Sequence, residues 1–114
     1  MGSLSRARIS KKKDFDNIFS KGKSFYSEFL GIKSLKNSTG QNRLAIIIST
    51  KISKKAAERN KIRRKIREAI RNEKEKMKKG HDIVVITLRL ILKTNSAQIK
   101  EEIIKGLKRL KILA

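Results

Sequence analysis

The apolar positions of this chain recur with two spacings, three to four residues in some stretches and two in others, and each change of spacing marks a new element. In DFDNIFSKG, Phe15, Ile18 and Phe19 stand at i, i+3 and i+4, which predicts one apolar face of a short helix. Ser10 or Asp14 is placed to cap that helix and Gly22 to end it. Residues 24–36, SFYSEFLGIKSLK, mix aromatic and branched side chains in rough alternation and predict a strand. The run Asn37-Ser38-Thr39-Gly40-Gln41-Asn42 predicts a turn, since Asn and Gly accept positive φ at low cost. A second strand, Arg43 to Thr50, follows and is expected to run antiparallel to the first.

Residues 56–79 are the most periodic stretch. Ile62, Ile66, Ala69, Ile70 and Met77 form a narrow apolar stripe, basic residues cover most of the remaining circumference, and Gly80 ends the helix. Asp82 to Leu90 is nearly continuous in branched residues, as expected of a strand covered on one face and largely screened on the other. Asn95 or Ser96 then caps a last helix in which Ile99, Ile103, Ile104, Leu107 and Leu110 recur at helical spacing. The predicted order is α-β-β-α-β-α, one α+β domain over residues 1–114. Its strand–helix–strand unit pairs strands 43–50 and 82–90 in parallel. Helices pack over one face of a small sheet in a two-layer sandwich, and the other face is open. Residues 1–13 read as a basic, flexible arm with Leu4 and Ile9 as its sizeable apolar groups.

Composition narrows the function more than the fold. At 114 residues with 38% hydrophobic, the chain supports one modest core. The absence of cysteine excludes a disulfide scaffold, a thiolate zinc site and a cysteine nucleophile, and is in keeping with a reducing, cytoplasmic setting. Apolar runs such as Ile83 to Ile86 are far too short to span a bilayer. The opening MGSLSRARIS lacks the apolar core of a secretory signal, and Arg6 stands where a myristoylation signal needs Ser or Thr. Against this background, 31 Lys and Arg face 10 Asp and Glu, a net charge of +21. The expected partner is polyanionic.

The charge concentrates in residues 51–79, where 14 Lys and Arg face 4 Glu. Within it Arg59, Asn60, Lys61, Arg63, Arg64, Lys65 and Arg67 crowd one short stretch whose nearest following acid is Glu68. A charge run is ordinarily a solvated helix face, but i,i+4 pairing cannot neutralise this one. The self-repulsion is a cost to stability that a bound polyphosphate relieves. Arginine grips phosphate bidentately, and Asn60 is expected in the first turn, where backbone N–H groups also favour phosphate. A membrane-surface helix needs a broader apolar face than this stripe.

All five aromatic residues, four Phe and one Tyr, lie between positions 15 and 29. Phe15 and Phe19 read equally as core residues or as a platform on which unpaired bases stack; Phe25, Tyr26 and Phe29 join either arrangement, with Phe25 and Tyr26 on opposite faces of their strand. Protein-based catalysis is poorly supported. His81 at a helix-to-strand joint reads as a surface histidine, and the pairs Asp14/Asp16 and Glu101/Glu102 do not face each other on a helix. No converging carboxylates, zinc-ligand spacing or Gly-rich phosphate loop is present, and the sequon Asn37-Ser38-Thr39 reads as part of a turn.

The stretch AAERNKIRRKIREAIR, beginning at Ala56, resembles the Arg-Asn-Arg signature helix of the bacterial ribonuclease P protein family. The likeness extends along the chain. RARISKKKDFDNIFSKGKSF resembles the family's N-terminal segment with its Asp-Phe-x-x-x-Phe-x-x-Gly, RLAIIISTK its central strand, and HDIVVITLR the strand after the signature helix. The resemblance implies a ribosomal protein S5 domain 2-like fold whose β-α-β crossover is left-handed, where the general rule predicts right-handed. It also implies a function: an accessory subunit of the ribonucleoprotein endonuclease in which a catalytic RNA, using Mg²⁺ held mainly by the RNA, removes the 5′ leader of precursor tRNA. Carried over by position, Phe15 and Phe19 match aromatics of the leader cleft, with Arg64 and Arg67 beside it. Arg59, Asn60, Lys61, Arg63, Arg64 and Arg67 match the signature positions that contact RNA. Lys61 replaces the second arginine of the signature, Lys54 stands where a glycine is usual, and the region of Ile32 lacks the family's frequent aromatic residue. The partners implied are the catalytic RNA and the precursor leader, with no membrane and no DNA. A ribosomal-type scaffold protein fits the composition equally well. A helix-turn-helix DNA reader fits worse, because no short helix precedes the basic one.

Overall fold

The computed structural model describes residues 9–114. Helix α1 (Lys12–Lys21) leads into strands β1 (Lys23–Tyr26), β2 (Leu30–Lys36) and β3 (Arg43–Ile47); helix α2 (Ala56–Glu73), strand β4 (His81–Thr87) and helix α3 (Ser96–Arg109) follow, with 3-10 turns at Lys74–Lys76 and Arg89–Lys93. The four strands form one mixed sheet in the order β1-β2-β4-β3. β3 and β4 are parallel neighbours joined through α2, as the strand–helix–strand pattern predicts.

Several details differ from the sequence expectation, among them β3 ending at Ile47 and β4 at Thr87 rather than at Thr50 and Leu90. The stretch 24–36 is two strands rather than one: Ser27 turns the chain, its Oγ accepting from the Phe29 N–H at 3.2 Å, and β1 and β2 pair antiparallel with Tyr26 opposite Gly31. β2 does run antiparallel in sense to β3, but β4 lies between them and pairs with both. The signature helix ends at Glu73 rather than running to Lys79, and Met77 is buried from the segment beyond it.

The sheet alternation sorts the core into two parts. On one face Phe25, Leu30, Ile32, Leu44, Ile83 and Val85 join Ile62, Ile66 and Ile70 of α2 and Ile99, Ile103 and Leu107 of α3. On the other face Val84, Leu35, Ala45 and Ile86 meet Ile18 and Phe15 of α1 and Ile9. The second face is therefore partly covered by α1 instead of open. Ile9 is buried there, and Lys12 and Lys13 are helical, so the segment expected as a basic arm is tied down at its end; residues 1–8 lie outside the described part.

The caps follow the same logic. Neither Ser10 nor Asp14 caps α1; Lys11 holds the N-cap position without a side-chain bond, and Gly22 closes the helix with its N–H on the Ile18 carbonyl. Asn95, not Ser96, caps α3: its side chain accepts from the Gln98 N–H at 2.8 Å while the Gln98 side chain accepts from the Asn95 N–H at 3.2 Å. In the 37–42 turn, Asn37 Oδ1 accepts from the Thr39 N–H and its Nδ2 donates to the Gln41 carbonyl and to Asp82. The sequon asparagine is thus committed to the turn.

Candidate nucleic-acid interface

Alternation along β1 and β2 turns Tyr26, Gly31 and Lys33 to the face that carries α1. Beside them, Phe15 and Phe19 lie one turn apart on α1, their rings near-parallel at 20° with centroids 6.5 Å apart. Ile18, on the neighbouring side of the helix, is fully buried, whereas Phe19 remains 41% exposed. Phe15 is half-buried against the small core of this face. The two phenylalanines are therefore divided: Phe15 mainly packs, and Phe19 presents its ring.

Tyr26 is 54% exposed on the same face. Its ring packs against Gly31, where a Cβ would clash with the ring carbons Cδ1 and Cε1, so glycine at 31 makes room for the aromatic. Between the exposed rings stands Lys33, its Nζ 5.7 Å from the centroids of both Phe19 and Tyr26 and held by a 2.8 Å bond to Ser24 Oγ. Cation–π attraction keeps an ammonium at a stacking platform. The side chain of Ile32 points to the opposite face, into the main core. The residue of this region on the α1 face is Lys33, so where an aromatic is absent near Ile32 this face has a cation at 33 and a tyrosine at 26. Tyr26 stands out in the sequence as an aromatic, whereas nothing local marks Lys33, because the pairing that brings β2 beside α1 is tertiary.

A carboxylate network locks α1 to the sheet at one end of this face. Asp82, almost fully buried, accepts from Arg43 Nε at 2.7 Å and Nη2 at 2.6 Å and from Asn37 Nδ2 at 2.8 Å, and Arg43 Nη1 reaches Asp14 of α1 at 3.4 Å. The Arg43 guanidinium is held above its ordinary range, first by the hydrogen bond to Asp82, with desolvation opposing. Asp16 pairs with Lys12 and Glu102 with Lys105. Of the carboxylates considered for catalysis, Asp14, Asp16 and Glu102 each face a neighbouring cation.

The signature helix presents its basic residues on two flanks, because four residues nearly complete a turn. Arg59, Arg63 and Arg67 form one row. Arg59 Nη1 donates to the Ser53 carbonyl at 2.9 Å, and Arg63 Nη1 donates to Asn60 Oδ1 at 2.9 Å. Arg59 therefore also braces the entry to its own helix. Asn60 lies in the second turn, past the free N–H groups of the first turn where it was expected. Lys54 does not need a glycine's freedom: φ is negative there, and Ser53 Oγ accepts from the Lys55 N–H at 3.1 Å to organise the turn. On the other flank Lys61, Arg64 and Lys65 face α3 across a groove. Arg64 lies two residues from both Ile62 and Ile66, so it points away from the sheet. The structure does not gather Arg64 with Phe15 and Phe19 in one cleft, and it sets Arg67 in the row with Arg59 and Arg63.

Magnesium needs several oxygen ligands. Among the described residues no group of three or more His, Asp or Glu side chains stands where it could hold a metal ion, so this donor set does not fit one. No helix among the described residues is long and apolar enough to cross a membrane.

The sequence profile of the Ribonuclease P family matches residues 4–111. The chain is 36% identical over 104 residues to the ribonuclease P protein component of Pelotomaculum thermopropionicum, covering 91% of this chain and 92% of that protein. It is 30% identical over 107 residues to that of a Pseudanabaena strain, covering 93% and 92%. Its fold superposes on the Staphylococcus aureus RNase P protein with a TM-score of 0.85 at 31% identity, over 94% of this chain and 97% of that one. The Thermotoga maritima RNase P protein gives 0.80 at 34% identity over 91% and 97%. Sequence and fold agree along nearly the whole length and decide against the ribosomal scaffold: the chain belongs to the bacterial ribonuclease P protein family, the accessory protein of the RNA-containing endonuclease that matures the 5′ ends of tRNA.

Proposed function

We propose that this subunit receives the single-stranded 5′ leader of precursor tRNA on the face carrying Phe19, Tyr26 and Lys33, with Phe15 backing Phe19, and meets the catalytic RNA through the signature helix. The observation that carries this is the pair of exposed aromatic rings flanking one lysine on a sheet face that is otherwise packed. Unpaired bases stack on such rings while the ammonium offsets backbone charge. On the far side of the sheet Arg59, Arg63 and Arg67 with Asn60, and Lys61 with Arg64, offer phosphate contacts without aromatic neighbours. The subunit works in the cytoplasm beside its RNA.

Leader contact favours precursor over product, since mature tRNA has no leader. In this reading Mg²⁺ supplies the hydrolytic chemistry and is held mainly by the RNA. By linkage, any gain in substrate affinity that depends on bound metal raises metal affinity in the complex by the same factor.

Phe19→Ala tests the reading in a holoenzyme reconstituted with ribonuclease P RNA at low Mg²⁺. One lost stack is worth ~1–3 kcal/mol, so precursor affinity falls roughly 5- to 100-fold while mature tRNA affinity holds. Equal losses for both ligands, with thermal stability unchanged, would refute the cleft.

A further inference from the structure

We propose that the groove between α2 and the first two turns of α3 is a second RNA site, one that takes the phosphate backbone of the folded catalytic RNA. This deepens the proposed function and rests on its reading of the chain as an RNA-bound subunit. The groove encloses about 410 Å³ and is lined by Lys61, Arg64, Lys65 and Asn72 from α2 and by Ser96 and Lys100 from α3. Four cations converge there against one acid, Glu68. Among the described residues, neither these cations nor Glu68 forms an ion pair. Concave walls carrying one sign of charge focus the field and concentrate an anion.

The α3 wall adds a second attraction. Asn95 takes the Gln98 N–H, which leaves the N–H groups of Ser96 and Ala97 without a carbonyl partner within the helix. With the helix dipole they favour phosphate at the groove's end. Asn72 and the Ser96 hydroxyl supply neutral hydrogen-bonding groups beside the charges.

The occupant follows from what the groove lacks and where it lies. Every aromatic residue of the chain falls between positions 15 and 29, so none lines the groove. A site without stacking surfaces reads backbone phosphate and suits RNA whose bases are already paired. The groove is also separated from Phe19 and Tyr26 by the sheet, because α2 and α3 pack on one face and α1 on the other. A leader stacked in the cleft does not reach it. Lys100 and Ser96, outside the signature helix, thereby become RNA-contact residues.

Two exposed substitutions test this in the full chain: Lys100→Gln and Ser96→Glu. Affinity is measured for a transcribed bacterial ribonuclease P RNA and for a single-stranded leader oligonucleotide, between about 50 and 200 mM salt. Lys100→Gln is expected to weaken folded-RNA binding roughly 3- to 10-fold and to reduce the salt slope by about one, with leader binding unchanged. Ser96→Glu places a carboxylate where the helix dipole welcomes it, so thermal stability holds or rises while folded-RNA affinity falls about tenfold. Wild-type affinity in either variant, or an equal loss on the leader, overturns the groove. If the wild type binds ribonuclease P RNA no more tightly than a ribosomal RNA fragment, the functional reading fails instead. The same two variants, scored on that fragment, then still decide whether the groove binds folded RNA.

Discussion

Asp82 shows how much of this interface rests on a residue that touches no ligand. Its carboxylate fixes Arg43 bidentately, Arg43 reaches Asp14, and α1 is thereby held at the sheet edge with its phenylalanines over the cleft. Replacing Asp82 by Asn removes the nearer, bidentate counter-charge of Arg43, leaves only Asp14 at 3.4 Å, and turns an amide donor toward other donors. Breaking a buried pair costs about 3–5 kcal/mol; with Arg43 about one-quarter exposed, roughly 2–4 kcal/mol is expected, a fall in Tm on the order of 10 °C. A melt matching the wild type would show that the network does not hold the fold. The raised guanidinium range means that Arg43's own titration leaves this contribution intact at neutral pH and removes it only as pH climbs through the strongly alkaline range where Arg deprotonates. Gly31 is the complementary case. Its missing side chain leaves room for the Tyr26 ring against the facing strand, a role visible only when the two strands are paired.

At the scale of elements, α2 and α3 carry most of the chemistry outside the cleft. The narrow apolar stripe of α2 was legible because burial on one side and charge on all others leave a clear helical period; Ile62, Ile66, Ala69 and Ile70 are the buried residues of that helix. Its division into an arginine row and a groove-facing flank was not legible, since it depends on where α3 lies. α3 in turn depends on its N-terminal box. Asn95→Ala removes the bond its side chain accepts from the Gln98 N–H, while the backbone N–H that donates to Gln98 stays, and is expected to cost about 1 kcal/mol in a denaturant melt, with an unchanged m value. A loss near zero would mean that packing of Ile99, Ile103 and Leu107 alone positions the helix. The strand stretch 24–36 was misread as one element because Ser27 and Glu28 interrupt the alternation too briefly to signal a turn by composition. Only the pairing of Tyr26 with Gly31 reveals a hairpin.

Over the whole molecule, a charge of +21 opposes the compact state. Four ion pairs among the described residues engage only a few of the cations. Screening is therefore expected to stabilise the free protein: raising NaCl from about 50 to 500 mM shortens the Debye length several-fold and should raise Tm by about 5 °C. A Tm that stays flat or falls would mean that the repulsion is already relieved within the fold. The same salt that stabilises the free chain weakens its RNA complexes, because counterion release drives phosphate binding.

The sequence alone determined the α+β class, the parallel strand pair around the basic helix, the cluster of arginines and lysines, and the polyanionic partner. Each is written locally, in periodicity, capping residues and summed charge, and the motifs around Phe15, Phe19 and Arg59 to Arg67 carried the family. Tertiary structure alone decided which of those residues meet. It placed β4 between β2 and β3, put α1 opposite α2 and α3, turned Lys33 rather than Ile32 into the cleft, and moved Arg64 away from the phenylalanines into a groove with Lys100. Helix and strand periods specify which face of an element is apolar. Which other element covers that face is settled by packing among residues far apart in the chain, and that choice assembles the site.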